Sequence, residues 1–249
     1  MEENQITEIG PFEIAGLPPR VARVFLPTGF NRQRFRSLVV MFDGQNIFDD
    51  GPSFSGGWHM DEIVSALSPR AHFRPAIVGI HHGGESRLDE LAPFRTERGG
   101  GNLDVMLTWM GAVLLPMLRA ELALIDGPFG VTIGGSSMGG LASLYAHFAQ
   151  PDLFGGTFTM SPSLWFGKDQ VTEFITSQPT PSPSRIYFDW GAREGRMING
   201  PAQAMAEHLE SRGYDDDQLM IRRDLKGKHT EADWKRRMPR ALRFMFRKE

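Results

Sequence analysis

The chain of 249 residues carries 27 basic and 30 acidic side chains, a formal net charge of -3, and has no cysteine. The lack of cysteine excludes disulfides, thiolate metal ligands and a cysteine nucleophile. The slight acidic excess argues against a nucleic-acid partner, since nucleic-acid-binding domains usually carry a basic excess. Apolar residues make up 41% of the chain and charged residues 23%, a composition typical of a globular protein with a sizeable core.

The N-terminal stretch MEENQITEIGPFEI is acidic and polar, and it lacks the basic and apolar regions of a secretory signal. No apolar run approaches the ~20 residues that span a membrane. We therefore expect a cytoplasmic protein with neither a membrane nor a nucleic-acid partner. The oligomeric state is left open by the sequence.

Short apolar runs bounded by turn residues predict a series of strands. An N-terminal hairpin, QITEIGPFEI and RVARVFLP, is followed by SLVVMF (37–42), PAIVGI (75–80), FGVTI (129–133), GTFTM (156–160), RIYFDW (185–190) and LMIRRD (219–224). Helices are predicted between them over residues 58–67, 102–124, 138–150, 201–212 and 230–247, with a kink or break at Pro116.

This alternation of strands and helices predicts an α/β fold. The central strands are apolar on both faces, which is typical of a mostly parallel sheet with helices on both faces. We expect a single domain over residues 1–249, because no segment is large enough to fold separately. The stretch 161–184 has room for a short helix and a loop but not for a large lid.

The stretch TIGGSSMGG (132–140) lies between a predicted strand and a predicted helix. Gly135, Ser137 and Gly139 fit Gly-x-Ser-x-Gly, the motif in which a strained turn exposes a nucleophilic serine at a helix N-terminus. Ser136 does not fit, because position 138 is Met and not Gly. A tight turn with small residues for packing is the alternative interpretation.

A serine nucleophile needs a base, and in folds with this turn the base follows the serine and the acid in the chain. Of the seven histidines, only His147, His208 and His229 follow Ser137. His147 lies on the helix of the turn itself and His208 lies within a predicted surface helix. His229 follows the last predicted strand, where such sheets place their chemistry, so we predict it as the base.

The acid is expected after the preceding strand, where FDWGAREG offers two candidates. Asp189 lies within the strand, whereas Glu194 lies in the loop beyond it. A loop carboxylate reaches a histidine more easily, so Glu194 is favoured and Asp189 is the alternative. Backbone N–H groups of Met138, after the nucleophile, and Gln45, after the strand VVMF, are the predicted oxyanion donors.

With these motifs in place, the chain resembles the esterase family of α/β hydrolases that includes enterochelin esterases, feruloyl esterases and S-formylglutathione hydrolase. The resemblance is carried by MFDGQNIFDD, VGIHHGGESRLDELAPF, IGGSSMGGLASLYAHFAQPDLFGGTFTMSPSLWF, FDWGAREG and GKHTEADWKRRMPRALRFMF. It implies an α/β-hydrolase fold and a Ser137–His229–Glu194 triad, although relatives often carry Asp at the acid position. The N-terminal β-sandwich of full-length enterochelin esterases has no counterpart here.

The resemblance implies a serine carboxylic ester hydrolase that forms an acyl-enzyme without a cofactor. Arg87 falls within a resembling motif, and with aromatic residues of the predicted loops it is a candidate for the substrate pocket: Phe54, Trp58, Phe94, Trp165 and Phe166. Short-acyl or aromatic esters are the expected substrates, since no large lid is expected. An acyltransferase with the same triad and a non-catalytic binding protein on the same fold are the alternatives.

A metal site is not expected. His81 and His82 are adjacent in a predicted strand end, so their side chains diverge, and no third ligand is evident.

Overall fold

The computed structural model describes residues 1–51, 56–167 and 169–248. It contains one eight-stranded sheet in the order β1-β2-β4-β3-β5-β6-β7-β8. The strands are β1 (Ile6–Ile14), β2 (Leu17–Phe25), β3 (Leu38–Met41), β4 (Ala76–Ile80), β5 (Val131–Ser136), β6 (Gly156–Met160), β7 (Arg185–Gly191) and β8 (Leu219–Asp224). Strands β1 and β2 form the antiparallel edge hairpin, and all pairs from β4 to β8 are parallel. The predicted strands and the mostly parallel sheet are confirmed.

Alternate residues of the central strands pack into two apolar clusters, because successive side chains of a strand point to opposite faces. In β3, Val40 belongs to one cluster, while Val39 and Met41 belong to the other. Both faces of the sheet are therefore buried, as the uninterrupted apolar runs predict.

Eight α-helices connect or cover the strands in the described chain. They are α1 (Met60–Ser65), α2 (Arg87–Leu91), α3 (Leu103–Trp109), α4 (Leu115–Leu122), α5 (Ser137–Ala149), α6 (Gln170–Ser177), α7 (Arg196–Glu210) and α8 (Glu231–Met245). Buried residues of α1 and α8 join one apolar cluster and those of α3 to α7 join the other. Helices thus cover both faces of the sheet, as expected.

Pro116 and Pro201 both lie inside continuous helical segments. Pro116 does not break its helix, because a π-helical turn over Met110–Leu114 joins α3 to α4 just before the proline, and such turns are a way of absorbing local distortion. Helix α7 begins before Pro201 and not at it, since the N–H of Asn199 closes the first turn onto the carbonyl of Gly195 at 3.0 Å.

The continuous helical segment Leu103–Leu122 also differs from the expectation about apolar runs. By length and mean hydropathy (1.4) it is long and apolar enough to cross a membrane. A buried core helix satisfies the same criteria, and 44% of this window is buried inside the protein.

The buried His147 of α5 supports a prediction about stability. Its side chain is fully buried, Nδ1 lies 3.0 Å from the carbonyl oxygen of Phe154, and Nε2 lies 2.7 Å from Oγ of Ser184. A carbonyl can only accept, so Nδ1 carries the proton and neutral Nε2 accepts from the serine. Burial lowers the pKa of His147 from 6.5 to about 4.

Between pH 6.5 and about 4, His147 binds a proton in the unfolded chain but stays neutral in the folded chain. The free energy of unfolding therefore decreases as the pH falls through this range. We expect the free energy of unfolding to drop by up to about 3 kcal/mol across this window. Urea unfolding at a series of pH values, compared with His147→Gln, measures the effect. Equal pH slopes for the two proteins would contradict the assignment.

Candidate active site

The turn between β5 and α5 places Ser137 above the carboxyl edge of the sheet. Ser137 is the first residue of α5 and has φ 54°, a left-handed conformation that costs free energy for a residue with a Cβ. A Cβ added to Gly135 would lie 2.8 Å from the carbonyl carbon of Gly139. The two glycines of the motif therefore allow the backbone to approach itself closely and hold the serine in this strained position.

The loop after β8 brings His229 to the serine. His229 lies directly before Thr230, whose hydroxyl caps α8 by accepting from the N–H of Asp233. Its Nε2 lies 3.0 Å from Oγ of Ser137, and its ring meets that of Trp234 edge-on at a centroid distance of 4.9 Å. The imidazole is about one-third exposed, so part of it is accessible to solvent.

The loop after β7 brings a carboxylate to the other side of this imidazole. Oε2 of Glu194 lies 3.1 Å from Nδ1 of His229, and the Glu194 side chain is fully buried. The two loops are tied together, because the N–H of Arg193 donates to the carbonyl of Gly227 at 3.0 Å. The structure thus brings Ser137, His229 and Glu194 together in the order that the sequence predicts.

Asp189, the alternative acid, faces away from His229 into the protein. Its carboxylate accepts a hydrogen bond from the Tyr187 hydroxyl at 2.9 Å and lies 3.0 Å from Nη1 of Arg237. Complete burial raises the pKa of Asp189 to about 7, although the Arg237 charge opposes the shift. The strand position of Asp189 points its side chain at α8 and not at the histidine.

A buried serine that sequence reasoning missed holds Glu194 from behind. Oγ of Ser161 lies 2.7 Å from Oε1 of Glu194, 3.0 Å from Nε1 of Trp234 and 2.8 Å from Nη2 of Arg237. The indole and guanidinium groups can only donate, so the Ser161 hydroxyl has to donate its proton to the carboxylate. The backbone N–H of Gly191 adds a further donor to Oε1 at 2.8 Å.

Two signals in the sequence point to this support in retrospect. Ser161 directly follows a predicted strand, at the sheet edge where parallel strands place their functional groups. Arg237 lies three residues after the buried Trp234 and one before the buried Met238, on the helix face that the periodicity assigns to the core. Ser163 was also missed, and its Oγ lies 3.1 Å from that of Ser137.

The turn after β3 carries the predicted donor Gln45. The side-chain amide of Gln45 is anchored on both sides to the backbone of His82, donating to its carbonyl at 3.0 Å and accepting from its N–H at 3.1 Å. A Cβ on Gly44 would lie 2.4 Å from the backbone of Gly79, so only glycine fits here. Met138, the second residue of α5, has an N–H without an acceptor inside the helix.

A cavity of about 510 Å³ opens in front of Ser137 and His229. Trp58 lines this cavity. Its side chain is only 2% exposed, because its ring stacks on that of Trp234 at a centroid distance of 5.9 Å in the apolar core. Arg87 also lines the cavity and forms a two-point ion pair with Asp43, at 2.5 and 2.8 Å. Trp58 and Arg87 therefore line the same cavity as Ser137 and His229.

Three of the other predicted pocket residues lie outside this cavity. Trp165 and Phe166 line a second cavity, where the guanidinium carbon of Arg98 lies 5.6 Å from the Trp165 ring. Phe94 packs edge-on against the core residue Tyr145 at 5.7 Å. Their placement in the pocket was wrong because loop residues near a strand end can turn to either side of it. Phe54 lies outside the described residues.

The described residues include no group of three or more His, Asp or Glu side chains that could hold a metal ion. Burial lowers the pKa of both His81 and His82, which favours their neutral forms.

The single eight-stranded, mostly parallel sheet covered by helices is the fold of an α/β hydrolase. Residues 19–245 match the family model described as "Putative esterase". The chain therefore belongs to this family of carboxylic ester hydrolases.

Relatives of known sequence include the uncharacterized protein YbbA of Bacillus subtilis, 25% identical over 90% of this chain and 92% of the relative. The iron(III) enterobactin esterase of Dickeya dadantii is 27% identical over 72% of this chain. The present chain spans only 41% of that esterase's length.

Two solved structures share the fold. The BES protein from Bacillus cereus has a TM-score of 0.76 at 18% identity and covers 97% of this chain and 94% of its own. The enterobactin esterase FES from Shigella flexneri, solved in the presence of enterobactin, has a TM-score of 0.76 at 22% identity, with 98% of this chain and 59% of its own covered.

The hydrogen bonds of Ser161 generate a prediction. Replacing Ser161 by Ala or Gly removes the donor to Glu194, and we expect ester hydrolysis to slow about tenfold or more, with KM unchanged. Ser161 has φ 47°, so the glycine variant relieves backbone strain of about 1 kcal/mol that the alanine variant keeps. If both variants lose kcat equally while Ser161→Gly has a higher Tm than Ser161→Ala, then loss of the hydroxyl, and not loss of stability, causes the slower hydrolysis.

The control is Ser184→Ala, which removes another buried serine hydroxyl, bonded to His147 on a different part of the fold. It should lower Tm and leave kcat unchanged. The prediction fails if Ser161→Ala and Ser184→Ala affect kcat alike.

Proposed function

We propose that this protein hydrolyses carboxylic esters through a Ser137–His229–Glu194 catalytic triad and a covalent acyl-enzyme. The observation that carries the proposal is the continuous hydrogen-bonded line from Oγ of Ser137 to Nε2 of His229 (3.0 Å) and from Nδ1 to Oε2 of Glu194 (3.1 Å). The strained backbone of Ser137, at φ 54°, supports it, since strain of this kind concentrates at functional sites.

Each proton transfer of the proposed reaction passes through His229. An ionised Glu194 accepts from Nδ1–H, which leaves the lone pair of Nε2 directed at Ser137. During attack on the ester carbonyl, His229 takes the proton of Ser137 Oγ as the new C–O bond forms. The same proton then passes to the departing alkoxide as the ester C–O bond breaks. Water, deprotonated by His229, then attacks the acyl carbon, the bond from that carbon to Oγ of Ser137 breaks, and His229 returns the proton to Oγ as the carboxylic acid leaves.

Negative charge that develops on the carbonyl oxygen needs fixed donors. We assign this role to the backbone N–H groups of Gln45, in the turn after β3, and of Met138, which directly follows Ser137. The anchoring of Gln45 to the His82 backbone and the N-terminal position of Met138 in α5 support the assignment. Each such donor is typically worth about 3 kcal/mol of transition-state stabilisation.

The cavity favours compact acyl or aromatic esters. Its volume of about 510 Å³ suits a ligand of modest size, and the aromatic rings of Phe42, Trp58 and Trp234 line it beside the Arg87–Asp43 ion pair. Because relatives carry the names of iron(III) enterobactin and salmochelin esterases, siderophore esters belong in the substrate panel beside p-nitrophenyl acetate and aryl esters.

The adjacent serines provide a sharp test of the nucleophile. We expect Ser137→Ala to lower hydrolysis of p-nitrophenyl acetate by at least about a thousandfold, because no acyl-enzyme can form. Ser136→Ala is the matched control, since Ser136 also lines the cavity but belongs to β5. The Ser136→Ala variant should keep most of the activity, and a fluorophosphonate should label this variant at Ser137. Full activity in Ser137→Ala would sink the proposal.

The two carboxylates provide the second test. Glu194→Gln keeps the shape of the side chain but presents the wrong hydrogen-bonding pattern to Nδ1, so we expect kcat to fall by roughly 10⁴. Asp189→Asn should change kcat by less than about tenfold, because its neighbours are Tyr187 and Arg237. Steady-state kinetics with both variants, checked for folding by circular dichroism, decides between the acids; the reverse order of effects would assign the role to Asp189.

A further inference from the structure

A third cavity, of about 520 Å³, lies at the opposite edge of the sheet from Ser137. Among the residues that line it, Ser37 directly precedes β3, Thr132 and Gly156 lie at the beginnings of β5 and β6, and Arg185 is the first residue of β7. These positions are the amino ends of parallel strands, whereas the serine, histidine and glutamate of the proposed triad follow the carboxyl ends. A molecule in this cavity would therefore not touch the catalytic residues.

The mouth of this cavity is aromatic and exposed. Phe35 is 44% exposed and Phe129 is 57% exposed. The ring of Phe35 meets that of Phe73, also on the wall, edge-on at 5.6 Å. Apolar rings that line a concave surface and remain open to water mark a binding site more often than scattered exposed residues do.

The charged side chains on the wall are all cationic. They are Arg185, Arg247 and Lys248, and no acidic residue lines the cavity within the described part of the chain. This is a local excess of positive charge in a protein whose net charge is -3. Arg247 pairs with Asp217, while Nζ of Lys248 donates to the carbonyl of Pro69 at 2.6 Å and lies 5.0 Å from the Phe73 ring centre.

The wall is built by backbone hydrogen bonds and does not depend on a ligand to form. The N–H of Phe73 donates to the carbonyl of Phe246, and the N–H of Lys248 donates to that of Ala71, both at 2.9 Å. His72 and Arg247 form an antiparallel bridge between these contacts. The cationic residues after α8 are thus held beside the aromatic wall, which lowers the entropic cost of binding a ligand there.

We propose that this cavity binds an amphiphilic anion: a molecule with an apolar chain or ring that ends in a carboxylate or a similar acid group. The aromatic wall buries the apolar part, and the cations, with Lys248 nearest the aromatic face, compensate the charged end. Ser37 adds a buried hydroxyl without a hydrogen-bond partner among the described residues, which a polar atom of the ligand would satisfy.

Decanoate tests both halves of this chemistry. Its binding is measured by isothermal titration calorimetry and by displacement of 1-anilinonaphthalene-8-sulfonate fluorescence, using the Ser137→Ala variant. We expect decanoate to bind, and decan-1-ol and acetate to bind at least about tenfold more weakly, because one lacks the charge and the other the apolar chain. Equal binding of decanoate and decan-1-ol would overturn the proposal, as would no binding of decanoate.

Surface variants locate the binding. Phe129→Ser and Lys248→Glu should each weaken decanoate binding about tenfold or more and leave ester hydrolysis unchanged, since neither residue is near the proposed triad. Met197→Ser and Lys226→Glu are the matched controls: Met197 is 60% exposed and Lys226 is exposed, both outside this cavity. Equal effects of variants and controls would place the ligand elsewhere and overturn the proposal.

A second copy of the protein is the competing occupant. Analytical ultracentrifugation that detects a dimer abolished by Phe129→Ser but insensitive to decanoate would overturn the proposal in favour of self-association. Because the binding measurements use Ser137→Ala and need no reactive serine, failure of the proposed esterase activity and failure of this binding site are separate results.

Discussion

The site depends on keeping the carboxylate of Glu194 buried beside the imidazole of His229. A buried carboxylate costs several kcal/mol unless donors compensate its charge. Oε1 receives the hydroxyl of Ser161 at 2.7 Å and the N–H of Gly191 at 2.8 Å, while Oε2 faces His229 at 3.1 Å. These partners come from the loop after β6, the last residue of β7 and the loop after β8, while Glu194 itself lies in the loop after β7, so its hydrogen bonds fix the ends of three strands relative to one another.

The buried cation Arg237 lies close to both Asp189 and Glu194, and the two acids have different roles. Its Nη1 lies 3.0 Å from Asp189, and its Nη2 lies 2.8 Å from Ser161 and 3.5 Å from Glu194. Asp189 balances the charge of Arg237 inside the protein, whereas Glu194 accepts the hydrogen bond of the His229 imidazole. Breaking a buried pair of this kind is costly, since it strands the remaining charge. The last helix therefore supports the proposed triad from behind as well as packing on the sheet.

On the other side of Ser137, the turn that carries Gln45 is held in place by close backbone contacts and not by buried charges. Gly44 lies against Gly79, where a Cβ would come within 2.4 Å of the backbone, and the Gln45 amide is fixed to His82. Rigid placement is what makes fixed donors effective towards a developing charge. The parallel sheet also separates two chemistries, since the proposed triad lies at the carboxyl ends of the strands and the cation-lined aromatic cavity at their amino ends.

The amino-acid sequence by itself determined the alternation of strands and helices and the mostly parallel sheet, because these follow from local periodicity. It also predicted the turn at Ser137 from local turn chemistry and His229 as the base from chain order. It favoured Glu194 over Asp189 without excluding either. Only the tertiary structure decided the direction of each carboxylate, the support from Ser161 and Arg237, and the placement of Trp165 away from the site. The reason is physical: these contacts join residues far apart in the chain, and side-chain direction depends on packing against neighbours that local patterns do not specify.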